Sequence, residues 1–397
     1  MFRHLPPVFL EPTVRVTMLA ILAFGFSGAA TSPYQSVVGI RELGLGNGTY
    51  SALIFVASIV NVTASIVLGN LADRIGSYRR MMLGISAVGI LAFGLVYAVP
   101  TQAVFVASLL LLLPLYGALY SLLFANVRSI TRDMNPEDIA TVNSGARAMI
   151  SVAWIAVPGI TGLLLARSPS MLPAYLYAAL ACSACFALIH VLMPREGGGA
   201  GAVAERLSHL AALGEVLSPR VFVRLTAIAL ICGMLHMNGM LLPLILTGSA
   251  QGEVADIGFI VGIVALLEVI FIFAWARLQR RMGPVRALAF GSAVYAAYLA
   301  ALGWVSAPWQ VYALTIVSGF GAAAIITIPI TYLQDLIAER PGLGSALISV
   351  NTFVSSGLSA LLFAAGTGLS SYPGTAILSS LAGAGGVGLL LFLERRA

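Results

Sequence analysis

The chain has 397 residues, of which 59% are hydrophobic and only 9% charged, with a formal net charge of +6. A soluble globular domain carries about 25% charged residues, so this composition excludes one of any size. Every basic residue is an arginine, and the positive balance fits membrane topology, not nucleic-acid binding.

A bilayer core takes about 20 apolar residues per helix. Twelve such stretches fill the sequence, at 14–40, 49–72, 81–99, 103–127, 142–166, 173–192, 221–246, 256–276, 285–305, 309–336, 343–368 and 374–393. They predict an all-α membrane protein of twelve transmembrane helices. The first lacks a small-residue cleavage site after a short apolar core and reads as a retained helix. With both termini cytoplasmic, only Arg41 and Arg167 fall on the outer side, and Arg147 sits just inside the fifth helix. That asymmetry sets the orientation. The all-arginine usage with abundant Ala and Gly suggests a GC-rich bacterial genome, and so a bacterial inner membrane.

After the sixth helix comes Pro194-Arg-Glu-Gly-Gly-Gly-Ala-Gly-Ala. Gly197 to Gly201 form a flexible linker, and residues 203 to 215 fit a short amphipathic surface helix. Six helices (1–193) thus precede a linker (194–219), and six follow it (220–397). The halves look related. The second helix ends in Asp73-Arg74-Ile75-Gly76-Ser77-Tyr78-Arg79 and the eighth in Arg280-Arg281-Met282-Gly283-Pro284-Val285-Arg286; Gly and the final Arg recur at equal spacing, and the Asp does not.

Several matches carry no chemistry. Cys182 and Cys185 form a C-x-x-C, but with Cys232 they lie in apolar helices, where small residues pack. Gly319-x-Gly321-x-x-Ala324 has no preceding strand and lies inside a membrane helix. Gly258-x-x-x-Gly262 reads as close helix packing. No G-x-x-x-x-G-K loop for ATP, no H-E-x-x-H, no G-x-S-x-G and no paired intramembrane aspartates occur. The sequence therefore implies no cofactor, no metal and no enzyme.

The stretch Gly69-x-x-x-Asp73-Arg74-x-Gly76-x-x-Arg79-Arg80 resembles the signature loop between helices 2 and 3 of the major facilitator superfamily. The resemblance implies two pseudo-symmetric six-helix bundles, the major facilitator fold, rocking about a central site. It also implies a cytoplasmic gate in which Asp73 lies near a helix N-terminus beside an Arg of the same loop. A carboxylate so placed gains typically 0.3–1 kcal/mol. Two further stretches, Arg147-Ala-Met-Ile-Ser151-Val-Ala153-Trp154-Ile-Ala-Val-Pro158-Gly159 and Pro329-Ile-Thr-Tyr332-Leu-Gln334-Asp335 with Arg340-Pro341-Gly342, resemble the bacterial sugar efflux transporter family. That family tends to show Gly-Pro-Pro after the Trp; here Val157-Pro158-Gly159 stands instead. This resemblance implies a sugar or glycoside as substrate, with protons as its partner in exchange, and a chain able to work as a monomer.

The candidate transport residues are polar groups inside apolar helices. A charge at the bilayer centre costs about 2.5–3.5 kcal/mol on insertion scales, so it needs a function or a partner. Glu268, with no charged neighbour in its helix, could bind sugar hydroxyls or carry the coupling proton; a neutral, hydrogen-bonded Glu is the alternative. Arg147 could fork onto sugar hydroxyls or snorkel to the surface. Trp154 could stack on a sugar ring or pack on a neighbouring helix. Pro158 and Gly159 loosen the fifth helix, as a flexing point or a static kink. His236 and Asn238, Tyr34 and Gln35, Asn61, Asn126, Tyr332 and Gln334, and Asn351 are further cavity candidates, each also suited to a bond between helices. Asp335 and Arg340 are possible charge partners at the gate. The leading expectation is proton-coupled efflux of sugars. Drug or amphiphile export by the same fold competes, although the first helix has no acidic residue between Thr17 and Ile40. A membrane sensor is the alternative from another class.

Overall fold

The computed structural model describes residues 6–75, 77–194, 219–336 and 341–395. Among them twelve helices are long and apolar enough to cross a membrane: α1 (Pro12–Glu42), α2 (Asn47–Ile75), α3 (Tyr78–Ala98), α4 (Gln102–Ile130), α5 (Pro136–Leu165), α6 (Pro173–Leu192), α7 (Pro219–Leu246), α8 (Val254–Met282), α9 (Pro284–Leu302), α10 (Pro308–Asp335), α11 (Pro341–Leu369) and α12 (Tyr372–Glu394). No strand occurs among the described residues. In lipid every backbone polar group must be satisfied within the segment, which leaves the helix as the element for such a sequence.

The helices outrun their apolar stretches where caps lie in polar sequence. The sequence predicts α5 from 142, but it begins at Pro136, because Asn135 caps it: its Oδ1 accepts from Asp138 N at 2.9 Å. Pro at the first helical position suits that start. Likewise α8 runs to Met282, through a basic last turn that favours a helix C-terminus. The signature stretch Gly69 to Arg80 is mostly not a loop: α2 continues to Ile75 and α3 starts at Tyr78, with Ser77 as its cap.

Contacts group the helices into two compact units. Unit 1 holds the described residues within 1–34 and 59–204; unit 2 holds those within 35–58 and 205–397. In unit 1, α1 packs on α5 and α6, and α3 on α6. In unit 2, α7 packs on α11 and α12, and α9 on α10 and α12. Apolar surface drives no association in lipid, so close approach by small residues does. A Cβ on Gly25 would lie 2.9 Å from that of Ala153, and one on Gly319 would lie 2.7 Å from that of Leu267. Large apolar side chains such as Leu111, Leu163, Phe273 and Leu381 stand exposed on the outside, as lipid contact requires.

Segment 35–58, the end of α1 and start of α2, belongs to unit 2. α1 leaves regular α geometry at Thr31, with a 3-10 turn at Ser32–Tyr34 and a π turn at Val38–Glu42.

Candidate functional site

Unit 1 spends most of its predicted polar residues on its own packing. The Tyr34 hydroxyl, fully buried, donates to the Pro158 carbonyl of α5 at 3.0 Å. Asn126 Nδ2 donates to Thr17 Oγ1 at 3.1 Å, joining α4 to α1. Asn61 Nδ2 reaches the Pro114 carbonyl at 3.4 Å, a long bond, and presses against Gly117. Trp154 packs on a cluster of Ala29, Ala30, Ala153 and Val157 at the α1–α5 contact, and stays partly exposed. Pro158 does not interrupt α5, which is helical from end to end. Arg147 lies on the exposed side of α5.

The signature residues divide. Arg79 donates through Nε to Met193 O at 3.1 Å and through its guanidinium to His190 O at 2.6 Å, so it caps the carbonyl end of α6. A cation there complements the helix dipole. Arg80 is exposed. Gly69, Asp73 and Arg74 have helical backbone in α2, and their side chains lie outside the description; Gly76 and Arg340 lie outside the described residues, as do the linker glycines and the surface helix expected at 203–215.

Unit 2 holds the most informative cluster. Glu268, partly buried in mid-α8, has neither hydrogen bond nor salt bridge among the described residues. Its backbone N would lie 3.6 Å from a Cβ placed on Gly319 of α10. Its carboxyl is near enough to act electrostatically on the Tyr295 hydroxyl of α9. Tyr295 packs against Tyr298 with the rings tilted and their centroids 5.2 Å apart. The Tyr298 hydroxyl donates to Asn238 Oδ1 of α7 at 2.8 Å. Ser318 of α10 lies beside both tyrosines, with its buried hydroxyl left without a well-formed hydrogen bond. One carboxyl, two phenols, one amide and one hydroxyl from four helices thus share one interior. Such buried polar groups are ordinarily all paired, and here the carboxyl and the serine are not.

The other predictions for unit 2 separate. His236 is partly buried with no hydrogen bond shown. Asn351 is buried, its amide weakly donating to Cys232 Sγ at 3.5 Å and its oxygen unpartnered. Gln35 lies beside Tyr50. Tyr332 donates to Glu394 Oε1 at 2.9 Å, and Arg224 Nε meets the same oxygen at 2.9 Å. Gln334 and Asp335 are exposed at the end of α10.

Two features went unpredicted. Tyr295 and Tyr298 stand three apart in an apolar helix, a spacing that places both on one face. Arg41, set aside as an exception to the charge rule, donates to Leu244 O at 2.7 Å, Thr247 O at 3.2 Å and Thr247 Oγ1 at 2.7 Å, closing the carbonyl end of α7.

Twelve membrane-length helices with polar groups held in their interior are the build of a multi-pass membrane carrier. The chain belongs to the Major Facilitator Superfamily, whose family model matches residues 17–360. It is therefore a transporter of that superfamily. It is similar to a Deinococcus radiodurans protein named "Putative sugar efflux transporter", with 25% identity over 95% of this chain and 97% of the relative. An uncharacterized MFS-type transporter of Methanocaldococcus jannaschii is 31% identical over 30% of this chain and 29% of that protein. Among solved structures, the nucleoside transporter NupG superposes with a TM-score of 0.83 at 14% identity, over 97% of this chain and 99% of its own. The peptide transporter POT in complex with sulfate gives 0.77 at 14% identity, over 100% and 95%. At such identities these two structures speak for the fold alone.

Proposed function

We propose that this transporter exports a sugar or glycoside across a bacterial inner membrane in exchange for protons, by alternating access of its two halves, as a monomer with both termini cytoplasmic. The observation that carries the coupling is Glu268: a lone carboxyl in mid-membrane, beside Tyr295, without an ion-pair partner among the described residues. A charge so placed is costly unless it is used, and a carboxyl can take up and release one proton without any further group. The substrate class rests on the name of the Deinococcus relative and on the stretches around Arg147–Gly159 and Pro329–Gly342. Arg147, His236 and Gln334 keep side chains without a bond among the described residues, and remain available to sugar hydroxyls. Asn238 presents an amide oriented by Tyr298. Tyr34, Asn61, Asn126 and Tyr332 are occupied by bonds within the protein, so any substrate contact they make requires those bonds to change. The signature loop acts as the cytoplasmic gate in this reading, with Asp73 and Arg74 as its moving part.

Proteoliposomes preloaded in turn with glucose, lactose, arabinose and a thiogalactoside test the reading. Labelled sugar is added outside, with Arg147→Ala and empty liposomes as controls. Exchange above both controls is expected with at least one sugar, and Glu268→Gln should retain exchange while losing its response to a pH gradient. Folded protein that exchanges none of the four would overturn the substrate class. Unchanged pH-gradient dependence in Glu268→Gln would overturn the coupling role.

A further inference from the structure

A cavity of about 430 Å³ in unit 2 opens between the end of α8 (Met282, Gly283), the start of α9 (Val285, Arg286) and the end of α12 (Leu391, Arg395). The apolar spans of all three helices stop at this level, so the cavity lies at the depth of lipid headgroups. Its chemistry has two sides. Arg286 and Arg395 are exposed and in no salt bridge among the described residues. The one acid in the wall, Glu394, is held by Arg224 at 2.9 Å and accepts from the Tyr332 hydroxyl. The charge left open to a ligand is therefore positive. α9 adds to it: the chain turns at Gly283, with φ at 82°, and enters the helix through Pro284 without a side-chain cap. The first amides of α9 are thus left for an outside acceptor, at the positive end of its dipole. Met282, Val285 and Leu391, each partly exposed, supply an apolar wall that a free inorganic anion has no use for.

We propose that this cavity binds the phosphate headgroup of an anionic phospholipid. Arg286, Arg395 and the start of α9 take the phosphodiester, and Met282 and Leu391 lie along the glycerol and upper acyl chain. The site is independent of the transported solute and lies on the side of the membrane that holds the C-terminus.

The test uses the full chain, purified in detergent, and counts bound lipid by native mass spectrometry while following thermal unfolding. Phosphatidylglycerol, phosphatidylcholine and inorganic phosphate are titrated separately. One phosphatidylglycerol should bind preferentially and raise the unfolding midpoint. The double variant R286A/R395A should weaken that binding about thirtyfold, the effect of two surface cation contacts. R286K/R395K, which keeps the charge, should retain most of it. Leu391→Trp, which fills the cavity without touching its charge, should weaken binding too, and Arg277→Ala, outside the cavity, should not. Equal binding of phosphatidylcholine, unaltered binding by R286A/R395A, or an equal midpoint shift from inorganic phosphate alone would overturn the proposal. Should R286A/R395A fail to fold, the Leu391→Trp and R286K/R395K pair decides on the same readouts.

Discussion

Arg41 ties the end of α1 to the carbonyl end of α7, and its removal should shift the local opening of segment 35–58. The guanidinium makes one part-buried bond, to Leu244 O at 2.7 Å, and two exposed bonds, to Thr247 O at 3.2 Å and Thr247 Oγ1 at 2.7 Å. A charged hydrogen bond contributes about 1.5 kcal/mol at the low end of its range, and exposed charged contacts a few tenths each. The sum is about 2 kcal/mol, a shift of ~30-fold in an opening equilibrium. Ser36 gives the reporter. It is buried in the turn of α1 that packs on α7, and its hydroxyl has no partner, so Ser36→Cys should cost little. Cys182, Cys185 and Cys232 are first replaced by Ala or Ser. The rate of labelling by a membrane-impermeant maleimide then reports the open fraction, provided closing is faster than labelling. Arg41→Ala should raise that rate about thirtyfold, and Thr247→Val, which removes one exposed Arg41 contact and the hydroxyl's bond to Pro243 O within α7's own end, about threefold or less. A rate changed less than threefold by Arg41→Ala, or changed more by Thr247→Val than by Arg41→Ala, would refute the reasoning.

Gly319→Ala should destabilise the protein by about 1–3 kcal/mol, because the added methyl comes within 2.7 Å of Leu267 Cβ; a thermal-unfolding midpoint equal to that of the parent would contradict the close α8–α10 contact. Tyr298→Phe leaves Asn238 without its donor and should cost about 0.6 kcal/mol, the average for hydrogen bonds between membrane helices, while altering apparent substrate affinity in liposome exchange more than it alters stability. Glu394→Gln removes an ion pair whose partners are 12% and 27% exposed, so the loss should be about 1 kcal/mol or less after solvent screening; a drop of several kcal/mol in denaturant titration would mean the pair is far drier than the structure shows.

The number and order of the helices could be read from the sequence because an apolar stretch of membrane length has one viable backbone. Their ends could not, because hydropathy marks where the membrane stops, whereas caps mark where the helix stops. Asn135 with Asp138 and Ser77 with the Arg80 amide lie beyond the apolar window, and Glu253 lies three residues before the one that Asp256 opens. Glu268 stood out by itself, as a charge with no neighbour in its helix. Its surroundings did not, since Tyr295, Tyr298, Ser318 and Asn238 come from three other helices and meet only in the fold. Tyr34, Asn61 and Asn126 looked like Glu268 in kind, and only the structure separates a polar group used between helices from one left open. Arg41 was visible as a violation of charge asymmetry, and the carbonyls it closes explain why a lone cation sits there.

Segment 35–58 is bonded to the other helices of its own unit at three separated points: Arg41 on α7, the Ser51 hydroxyl on the Ala360 carbonyl of α11, and Asn47 accepting from the Tyr372 hydroxyl of α12 at 2.9 Å. Tyr50 meets Phe363 edge-on and Phe363 stacks on Tyr372, with centroids 6.2 and 6.4 Å apart. None of these three ties is an ion pair: the Ser51 and Asn47 bonds and the ring contacts contribute about 1 kcal/mol each, and the Arg41 bonds about 2 kcal/mol together. The backbone on the α1 side of the segment is already irregular, with the 3-10 turn at Ser32–Tyr34 and the π turn at Val38–Glu42 on either side of the passage between units. Such turns often mark hinges, because their hydrogen bonds shift register at low cost. Segment 35–58 therefore combines small ties with an irregular backbone in one short stretch.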